Sequence, residues 1–322
     1  MRTDNLGLNM MLTSFLLAGA SLMLAVLHAQ QPAAPTERAA APIGGIQGRL
    51  TWFDRQGRVV GKSGKPGFYR TMNLSPDAKR IAVERTDPVS QNRDIWVIDS
   101  ATGKEIQITS DPGWDAFPLW SPDGSRLVFT SNRGGTFDLY QKRLKGAGAE
   151  ELFYKSTEGK GPTSWSKDGR FLLFYSVGQP THLRLLAASG APDRTPAPFV
   201  DAKFSSITAR FSPNGRWIAY TSNESSTNEV LVRPFDPASG IPGAPVVVSK
   251  GGGRTPLWRG DSGEIYYLGP DGSVMAQELK TKQGLRAGPP KTLFKASPAV
   301  AFWDVAPDGK RFLMSVSEPE QK

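Results

Sequence analysis

Short runs in which apolar and polar residues alternate recur along most of the chain, and many of them flank a turn sequence close to Ser-Pro-Asp-Gly. In one copy the segment FPLW precedes SPDG, while RLVFTS and DLYQKRL follow it. Alternation with a period of two, bounded by Gly, Pro, Asp and Ser, predicts β-strands joined by tight turns. We therefore predict an all-β chain in which the Ser-Pro-Asp-Gly motif is a hairpin turn.

This turn motif returns at a nearly constant interval. The first residues of its six copies are Ser75, Ser121, Ser166, Ser212, Arg259 and Ala306. The intervals are therefore 46, 45, 46, 47 and 47 residues. Repeats of roughly 40–45 residues, each with four strands, are typical of β-propeller blades. The spacing predicts a six-bladed β-propeller with four strands per blade.

The two ends of the repeat region predict how such a ring closes. Only RFLMSVSE and a few further residues follow the last turn, too few for a whole blade. The segment RLTWFDRQGRVVG, from Arg49 to Gly61, matches DIWVIDSATGKEIQIT in its aromatic residue, its Asp and its turn Gly. We expect these N-terminal strands to complete the last blade, which would leave no open seam.

These repeats resemble a known family. The pattern WSPDG…F.S…D.Y resembles the TolB-like, WD40-like β-propellers over about residues 47–318. The segments LTWFDRQG, FSPNGRWIAYTSNESSTNEVLVRPF, GGGRTPLWRGDSGEIYYL and DVAPDGKRFLM are similar to the extracytoplasmic propellers of some bacterial serine/threonine kinases. The kinase motifs themselves, a Gly-rich loop, His-Arg-Asp and Asp-Phe-Gly, are absent from the chain. The resemblance implies a propeller without its kinase.

The N-terminal region predicts export. Arg2 precedes the apolar stretch LNMMLTSFLLAGASLMLAVLHA, which predicts a signal over residues 1–29, either cleaved or retained as an anchor through residues 6–27. The following QQPAAPTERAAAP predicts a linker over residues 30–46, and the propeller would occupy residues 47–318. We therefore expect a periplasmic or secreted protein, or one anchored in the inner membrane, with no other membrane contact.

The composition of the chain limits the kinds of partner and site that it can have. The chain has 322 residues, a net charge of +9 and no cysteine. The absence of cysteine excludes disulfides, thiolate metal ligands and cysteine nucleophiles. Positive charge favours anionic partners in general, but without a basic helix or zinc spacing we expect no nucleic acid. No metal-ligand spacing is present either, so we expect no metal and no cofactor.

Catalytic motifs are weak in this sequence. The string GDSG at Gly260–Gly263 occurs around the nucleophile of trypsin-like proteases, but a serine nucleophile needs a base, and the only histidines are His28 and His182. Because the string falls in a hairpin-turn position, we interpret it as structural. We expect that the chain is not an enzyme. Two alternatives stay open: an enzyme acting on a polyanionic carbohydrate, and an anchored sensory module that partners a kinase.

Several residue types recur in register and are expected to be structural. The acidic residues at the start of the third strands and in the turns should make local hydrogen bonds, and the tryptophans before the turns should pack between blades. These residues are Asp94, Asp138, Glu229, Asp77, Asp123, Asp168, Trp120, Trp165 and Trp258.

Function should therefore reside in the loops that differ between blades. The loops between second and third strands should share one face with the loops that enter the next blade. We expect a basic, aromatic rim there that binds an envelope protein or an anionic envelope ligand, with the chain as a monomer. The candidate ligand-binding residues are Arg93, Trp114, Phe117, Arg133, Lys160, Asn223, Glu224, Lys250 and Arg254.

Overall fold

The computed structural model describes residues 47–146, 148–200, 203–280, 284–296, 300 and 302–317. The regular structure of these residues is all β, as predicted. The strands are β1 (Gly48–Asp54), β2 (Val59–Leu74), β3 (Arg80–Thr86), β4 (Arg93–Asp99), β5 (Glu105–Gln107), β6 (Asp115–Trp120), β7 (Arg126–Ser131), β8 (Asp138–Arg143), β9 (Glu151–Tyr154), β10 (Lys160–Trp165), β11 (Phe171–Ser176), β12 (His182–Ala187), β13 (Ala197–Pro198), β14 (Ser206–Phe211), β15 (Trp217–Ser222), β16 (Glu229–Asp236), β17 (Ile241–Pro242), β18 (Val246–Val247), β19 (Arg254–Trp258), β20 (Glu264–Leu268), β21 (Ser273–Lys280), β22 (Arg286–Ala287), β23 (Lys291–Lys295), β24 (Trp303–Val305) and β25 (Arg311–Ser317).

These strands form antiparallel sheets that follow one another along the chain. The first has the order β24-β25-β1-β2-β3-β4-β5, the second β6-β7-β8-β9 and the third β10-β11-β12-β13. In the fourth sheet, β14-β15-β16 is followed by β17 and β18, which both pair with β16. The fifth repeats this plan, with β22 and β23 on β21.

The long strand β2 divides the first sheet into two parts. Its residues from Val59 to Gly67 pair with β1, and those from Phe68 to Leu74 pair with β3. The N-terminal strand β1 also pairs with β25 over seven residues, from Gly48 opposite Ser317 to Asp54 opposite Arg311. The N-terminal strands therefore lie beside the C-terminal strands, as the sequence predicted.

The strand that precedes each turn motif contacts the equivalent strand of the next repeat. Contacts join β2 to β6, β6 to β10, β10 to β14, β14 to β19, β19 to β24, and β24 back to β2. Because this circuit is closed, these innermost strands surround one central region, which we call the channel. The exact number of blades, and of strands in each, stays a prediction.

The apolar core lies between neighbouring sheets. Trp120 packs with Ala82 and Ile95 of the preceding sheet, and Trp165 packs with Leu119 in the same way. The fourth and fifth sheets bury Trp258 between them, together with residues of β15 and β16. These tryptophans fill the space between sheets because each face of a blade needs apolar cover. The predicted packing role of the three tryptophans is confirmed.

The repeated turns have the predicted geometry. In the first, the Ser75 hydroxyl donates to Asp77 at 2.6 Å and accepts a hydrogen bond from the Arg80 backbone N–H at 3.0 Å. The same pair of bonds recurs at Ser121, Ser166 and Ser212. The fourth residue of each turn is left-handed, with φ of 65° at Gly124, for example. Each motif therefore closes a hairpin by bonds within the turn.

The structure does not test the predictions made for the N-terminal region. The predicted export signal, residues 1–29, and the linker, residues 30–46, lie outside the described residues. Within the part of the chain that the structure describes, no helix has the length and apolar character needed to cross a membrane.

Candidate binding site at the channel mouth

Loops of two kinds meet on one face of the sheets, which we call the loop face. The Trp114 backbone N–H, in a loop that enters the second sheet, donates to the Asn132 side chain at 2.7 Å. Asn132 follows the second strand of that sheet. The Gly253 backbone N–H, in the loop that enters the fifth sheet, donates to the carbonyl of Asn228, which lies in the loop between β15 and β16 of the fourth sheet, at 2.8 Å. The predicted sharing of one face by these loops is therefore observed.

Aromatic rings from three sheets meet close to this face, inside the channel. The Phe117 ring contacts the Tyr175 ring with centroids 5.8 Å apart and the Phe302 ring at 6.1 Å. Phe117 is on β6, Tyr175 is on β11 and Phe302 directly precedes β24. Since β6 and β24 each adjoin β2 in the circuit of innermost strands, the contact between Phe117 and Phe302 passes across the channel. We call these three residues the channel-mouth cluster.

Local backbone geometry directs Phe117 into this position. The pairing of β6 with β7 shifts register between Ala116 and Leu119, and Phe117 in this bulge has a φ of 53°. A bulge re-aims a side chain at the cost of backbone strain in a non-glycine residue. Thr208 and Thr255 have nearly the same φ, 51° and 52°, at the equivalent positions of β14 and β19. Phe117 and Phe302 are partly exposed, so the cluster offers aromatic surface to solvent.

Tyr175 reaches the cluster because the neighbouring strand leaves space for it. A Cβ atom on Gly161 would lie 2.5 Å from the Tyr175 ring, so only glycine fits beside it. Burial raises the pKa of the Tyr175 hydroxyl, and the charge of Glu84 raises it further. The hydroxyl is therefore a neutral hydrogen-bonding group at any physiological pH.

A buried ionic group supports the cluster from the first sheet. The Glu84 carboxylate accepts a hydrogen bond from the Thr71 hydroxyl at 2.9 Å and pairs with Arg70 at 3.3 Å and Arg93 at 3.8 Å. Arg93 is 1% exposed, and its guanidinium lies 3.9 Å from the centre of the Trp114 ring. Burial lowers the pKa of Arg93 to about 10, against the opposing effect of Glu84. Trp114 therefore covers Arg93, and Arg93 is not on an exposed rim.

Arg133 also differs from the expected basic rim. Its guanidinium makes two bonds of 3.0 Å to Asp115, which is fully buried, and a further ion pair with Glu150. Burial opposes the charge of Arg133, but these two carboxylates outweigh that effect and raise its pKa. The side chain also stacks over the Tyr140 ring at 4.7 Å. Its charge is compensated inside the fold, because the start of β6 and the residue before β9 bring the two carboxylates to it.

Lys160 and Arg254 are directed inward as well. The Lys160 ammonium is buried and pairs with Asp138 at 2.5 Å, and burial lowers its pKa. Arg254 is partly buried, donates to the Val300 carbonyl at 3.1 Å, and has its pKa lowered by burial. The expectation that Arg93, Arg133, Lys160 and Arg254 make an exposed basic rim is therefore wrong: these cations have internal partners.

The other candidate residues lie on the loop face. Asn223 accepts a hydrogen bond from the Ser205 backbone N–H at 2.9 Å, so it joins two loops. Glu224 and Lys250 are exposed. Trp114 and Phe117 are partly exposed beside the channel. A ligand-binding role for all nine candidate residues stays a prediction.

The residues with catalytic associations have structural positions. Ser262 of the GDSG string is buried in a hairpin turn with a φ of 63°, and its hydroxyl accepts from the Asn214 backbone N–H at 3.0 Å. Glu229 accepts bonds from the backbone of Gly251 at 3.1 Å and Gly252 at 2.9 Å, so it holds the loop after its own blade. Among the described residues, no three His, Cys, Asp or Glu side chains are grouped as metal ligands.

Sequence reasoning missed Tyr175, Phe302 and Glu84. The sequence did contain a signal for Phe302. Like Phe117, it stands four residues before the first residue of a turn motif. The equivalent residues in the other repeats are Thr71, Pro162, Thr208 and Thr255. This position varies between repeats while the turn does not, and it identifies side chains that face the channel.

Comparison with known proteins defines the class. The family model described as the TolB beta propeller domain matches residues 55–191. A solved structure described as a putative TolB from Agrobacterium tumefaciens is similar over 86% of this chain and 100% of its own, with a TM-score of 0.65 and 17% identity. Residues 55–191 are therefore similar to the TolB-like β-propeller family, as the repeats predicted, and the similar solved structure supports the same fold. The finer similarity to kinase-linked propellers stays a prediction.

Other relatives of this fold have enzyme names. A stretch of 105 residues, 31% of this chain, is 32% identical to the "Uncharacterized peptidase YuxL" of Bacillus subtilis (strain 168). The chain spans 16% of the length of that relative. A solved structure of a putative 6-phosphogluconolactonase from Bacteroides uniformis is similar over 83% of this chain and 89% of its own, with 13% identity and a TM-score of 0.56.

These relatives correct one prediction. The expectation that the chain is not an enzyme was wrong as an inference from missing motifs, because the relatives of this propeller include a protein named as a peptidase. A propeller can place reactive side chains from several blades in its channel, and such a set has no short motif in the sequence. The absence of a nucleophile motif therefore does not exclude an activity.

Proposed function

We propose that this protein is a binding propeller of the cell envelope that holds a segment of a partner protein at the channel mouth. The observation that carries the proposal is the meeting of Phe117, Tyr175 and Phe302 from three sheets, with two of the rings partly exposed. Aromatic side chains that converge in a concave, rigid site are typical anchors for a protein partner.

The ionic contacts favour a protein segment over an anionic ligand at this site. Arg93, Arg133 and Lys160 each pair with a carboxylate of the chain itself. A ligand that relied on these cations would have to displace Glu84, Asp115 or Asp138 from buried positions, which is costly. Apolar side chains of a partner would instead add to the aromatic surface that is already in place.

The proposal includes an organisation for the whole chain. Residues 1–29 would direct export or anchor the protein, residues 30–46 would form a linker, and residues 47–318 would form six blades of four strands in a monomer. The closed circuit of β2, β6, β10, β14, β19 and β24 supports six blades. The division of the first sheet within β2 supports four strands on either side of it.

Affinity capture from envelope extract tests this function. The full chain with a C-terminal tag would be compared with a Phe117→Ala/Phe302→Ala variant, which removes two rings of the cluster. A matched control, Ile241→Ala/Val247→Ala, removes two exposed apolar side chains from outer strands of the fourth sheet. We expect the control to retain a protein that the cluster variant loses. If both variants captured the same proteins as the unchanged chain, the proposed site would be wrong.

A further inference from the structure

A second concave surface lies on the outer strands of the first sheet. A groove of about 440 Å³ is lined by Lys65, Arg85, Trp96, Gly103, Lys104 and Glu105. Lys65 belongs to the part of β2 that pairs with β1, while the other residues belong to β3, β4, β5 and the turn between β4 and β5. The groove therefore lies where the N-terminal strands adjoin the first sheet, and it shares no residue with the channel-mouth cluster.

The charges of this groove are unbalanced. Glu105 pairs with Arg85 at 3.0 Å, and its other oxygen accepts from the Lys65 backbone N–H at 2.7 Å. Its carboxylate is therefore fully occupied. Lys65 and Lys104 are exposed, and among the described residues neither ammonium has a carboxylate within 4.0 Å. Two positive charges are left over at the rim, so the groove would attract an anion.

The floor of the groove is aromatic. The Trp96 ring packs on the buried cluster of the first sheet while part of it stays exposed to the groove. The Arg85 guanidinium stacks on this ring at 4.9 Å, and Glu105 fixes it there. Because the indole ring and the guanidinium are both planar groups, a planar or ring-shaped part of a ligand can pack against them. The volume of the groove is in the range of small-ligand sites.

We propose that this groove binds an acidic saccharide. A sugar ring would pack beside Trp96 and the Arg85 guanidinium, and its carboxylates would pair with Lys65 and Lys104. Of the six lining residues only Trp96 is apolar, so the apolar side chains of a peptide would find no pocket here. Sugar hydroxyls, in contrast, hydrogen-bond readily to charged side chains, and a groove open to solvent suits a strongly hydrated ligand. This inference is independent of the function proposed for the channel mouth.

Calorimetric titration of the full chain with trigalacturonate tests the proposal. We expect saturable binding of one molecule per chain, and weaker binding by about tenfold or more in a Lys65→Ala/Lys104→Ala variant, because each lysine supplies a charge-assisted contact. The matched control is Lys155→Ala/Lys167→Ala. It removes the same charge from two exposed lysines of other sheets, and it should leave the dissociation constant unchanged.

Four results would overturn the proposal. The first is the absence of saturable binding. The second is equal weakening in both double variants, which would indicate attraction to net charge alone. The third is equally tight, Lys104-dependent binding of hexaglutamate, which would identify an acidic peptide site instead. Neutral maltotriose should not bind, and equal affinity for it would also contradict the need for an anion. Because the four lysines are exposed, all variants should fold.

Discussion

The charge of Asp94 depends on its surroundings, because burial opposes ionisation of its carboxyl. Asp94 is the second residue of β4 and is 9% exposed, with the Thr109 hydroxyl at 3.3 Å and the Gln107 amide at 3.2 Å as donors. Burial raises its pKa to about 6 from an ordinary 3.8, and the charge of Asp115 adds to this effect. A raised pKa means that the folded protein binds the proton more tightly than the unfolded chain does.

This raised pKa predicts a pH-dependent stability difference. Asp94→Asn is neutral at every pH, so it should be as stable as the unchanged protein below about pH 4. As the pH rises through about 6, the unchanged protein must ionise a buried carboxyl. The difference should develop between about pH 4 and about pH 6, and at neutral pH the variant should be more stable by up to about 3 kcal/mol, since the shift is roughly two pKa units of about 1.4 kcal/mol each. Urea unfolding at several pH values measures this.

Asp99, at the other end of β4, provides a control of opposite sign. Hydrogen bonds from the Thr102 backbone N–H and hydroxyl lower its pKa. Asp99→Asn should therefore destabilise the protein at neutral pH, and the difference should shrink as the pH falls below the ordinary range of aspartate. Equal pH profiles for the two variants would contradict the assignment of these shifts.

Arg133 is expected to matter for stability. Arg133→Ala would leave the buried Asp115 without its cation, and removal of one partner of a buried pair costs about 3 kcal/mol or more. The free energy of unfolding should therefore fall by about that amount. The double variant Arg133→Ala/Asp115→Asn should lose less than the sum of the two single variants. Additive losses would show that the pair does not interact.

The sequence could not predict these partners. Asp115 and Glu150 are 18 and 17 residues from Arg133, and Lys160 is 22 residues from Asp138. The pairs depend on where loops cross between strands, and strand periodicity contains no information on that. An exposed rim was predicted because loop cations are usually solvated. The predicted positions of the loops agree with the structure. The predicted outward direction of these basic side chains does not.

Among the elements, the pairing of β1 with β25 was predictable, because the repeat was incomplete at both ends. Side chains reinforce this pairing. Arg55, in the hairpin between β1 and β2, makes two bonds of 2.9 Å to Glu264 and one of 2.9 Å to the Tyr266 hydroxyl. The N-terminal hairpin is therefore tied both to β25 and to the fifth sheet.

This closure predicts the effect of truncation. A chain that begins at Phe68 lacks β1 and the first part of β2, so β25 would become an open edge. We expect its thermal transition to fall by at least about 10 °C, or the chain to aggregate. A chain that begins at Gln47 keeps both strands and should unfold like the full protein. Circular dichroism on heating distinguishes these cases, and a normal transition for the shorter chain would contradict the role of the closure.

At the scale of the whole molecule, the repeats predicted the strands, the turns and the similarity to TolB-like propellers, because each copy independently favours the same local structure. They could not predict the channel-mouth cluster. Phe117, Tyr175 and Phe302 belong to different repeats and meet only because the circuit of strands closes. Periodicity predicts only what the repeats share, so it cannot predict a cluster of residues that differ between repeats. The candidate site therefore had to come from the structure.

The most direct test of the central claim is site-specific photo-crosslinking in intact cells. A photoreactive phenylalanine analogue would replace Phe117 or Phe302 in separate variants, with Ile241 on an outer strand as the matched control position. We expect a defined adduct with one partner protein from positions 117 and 302, and none of that adduct from position 241. If the same adduct formed from position 241, or if positions 117 and 302 gave no protein adduct, the channel mouth would not be the binding site.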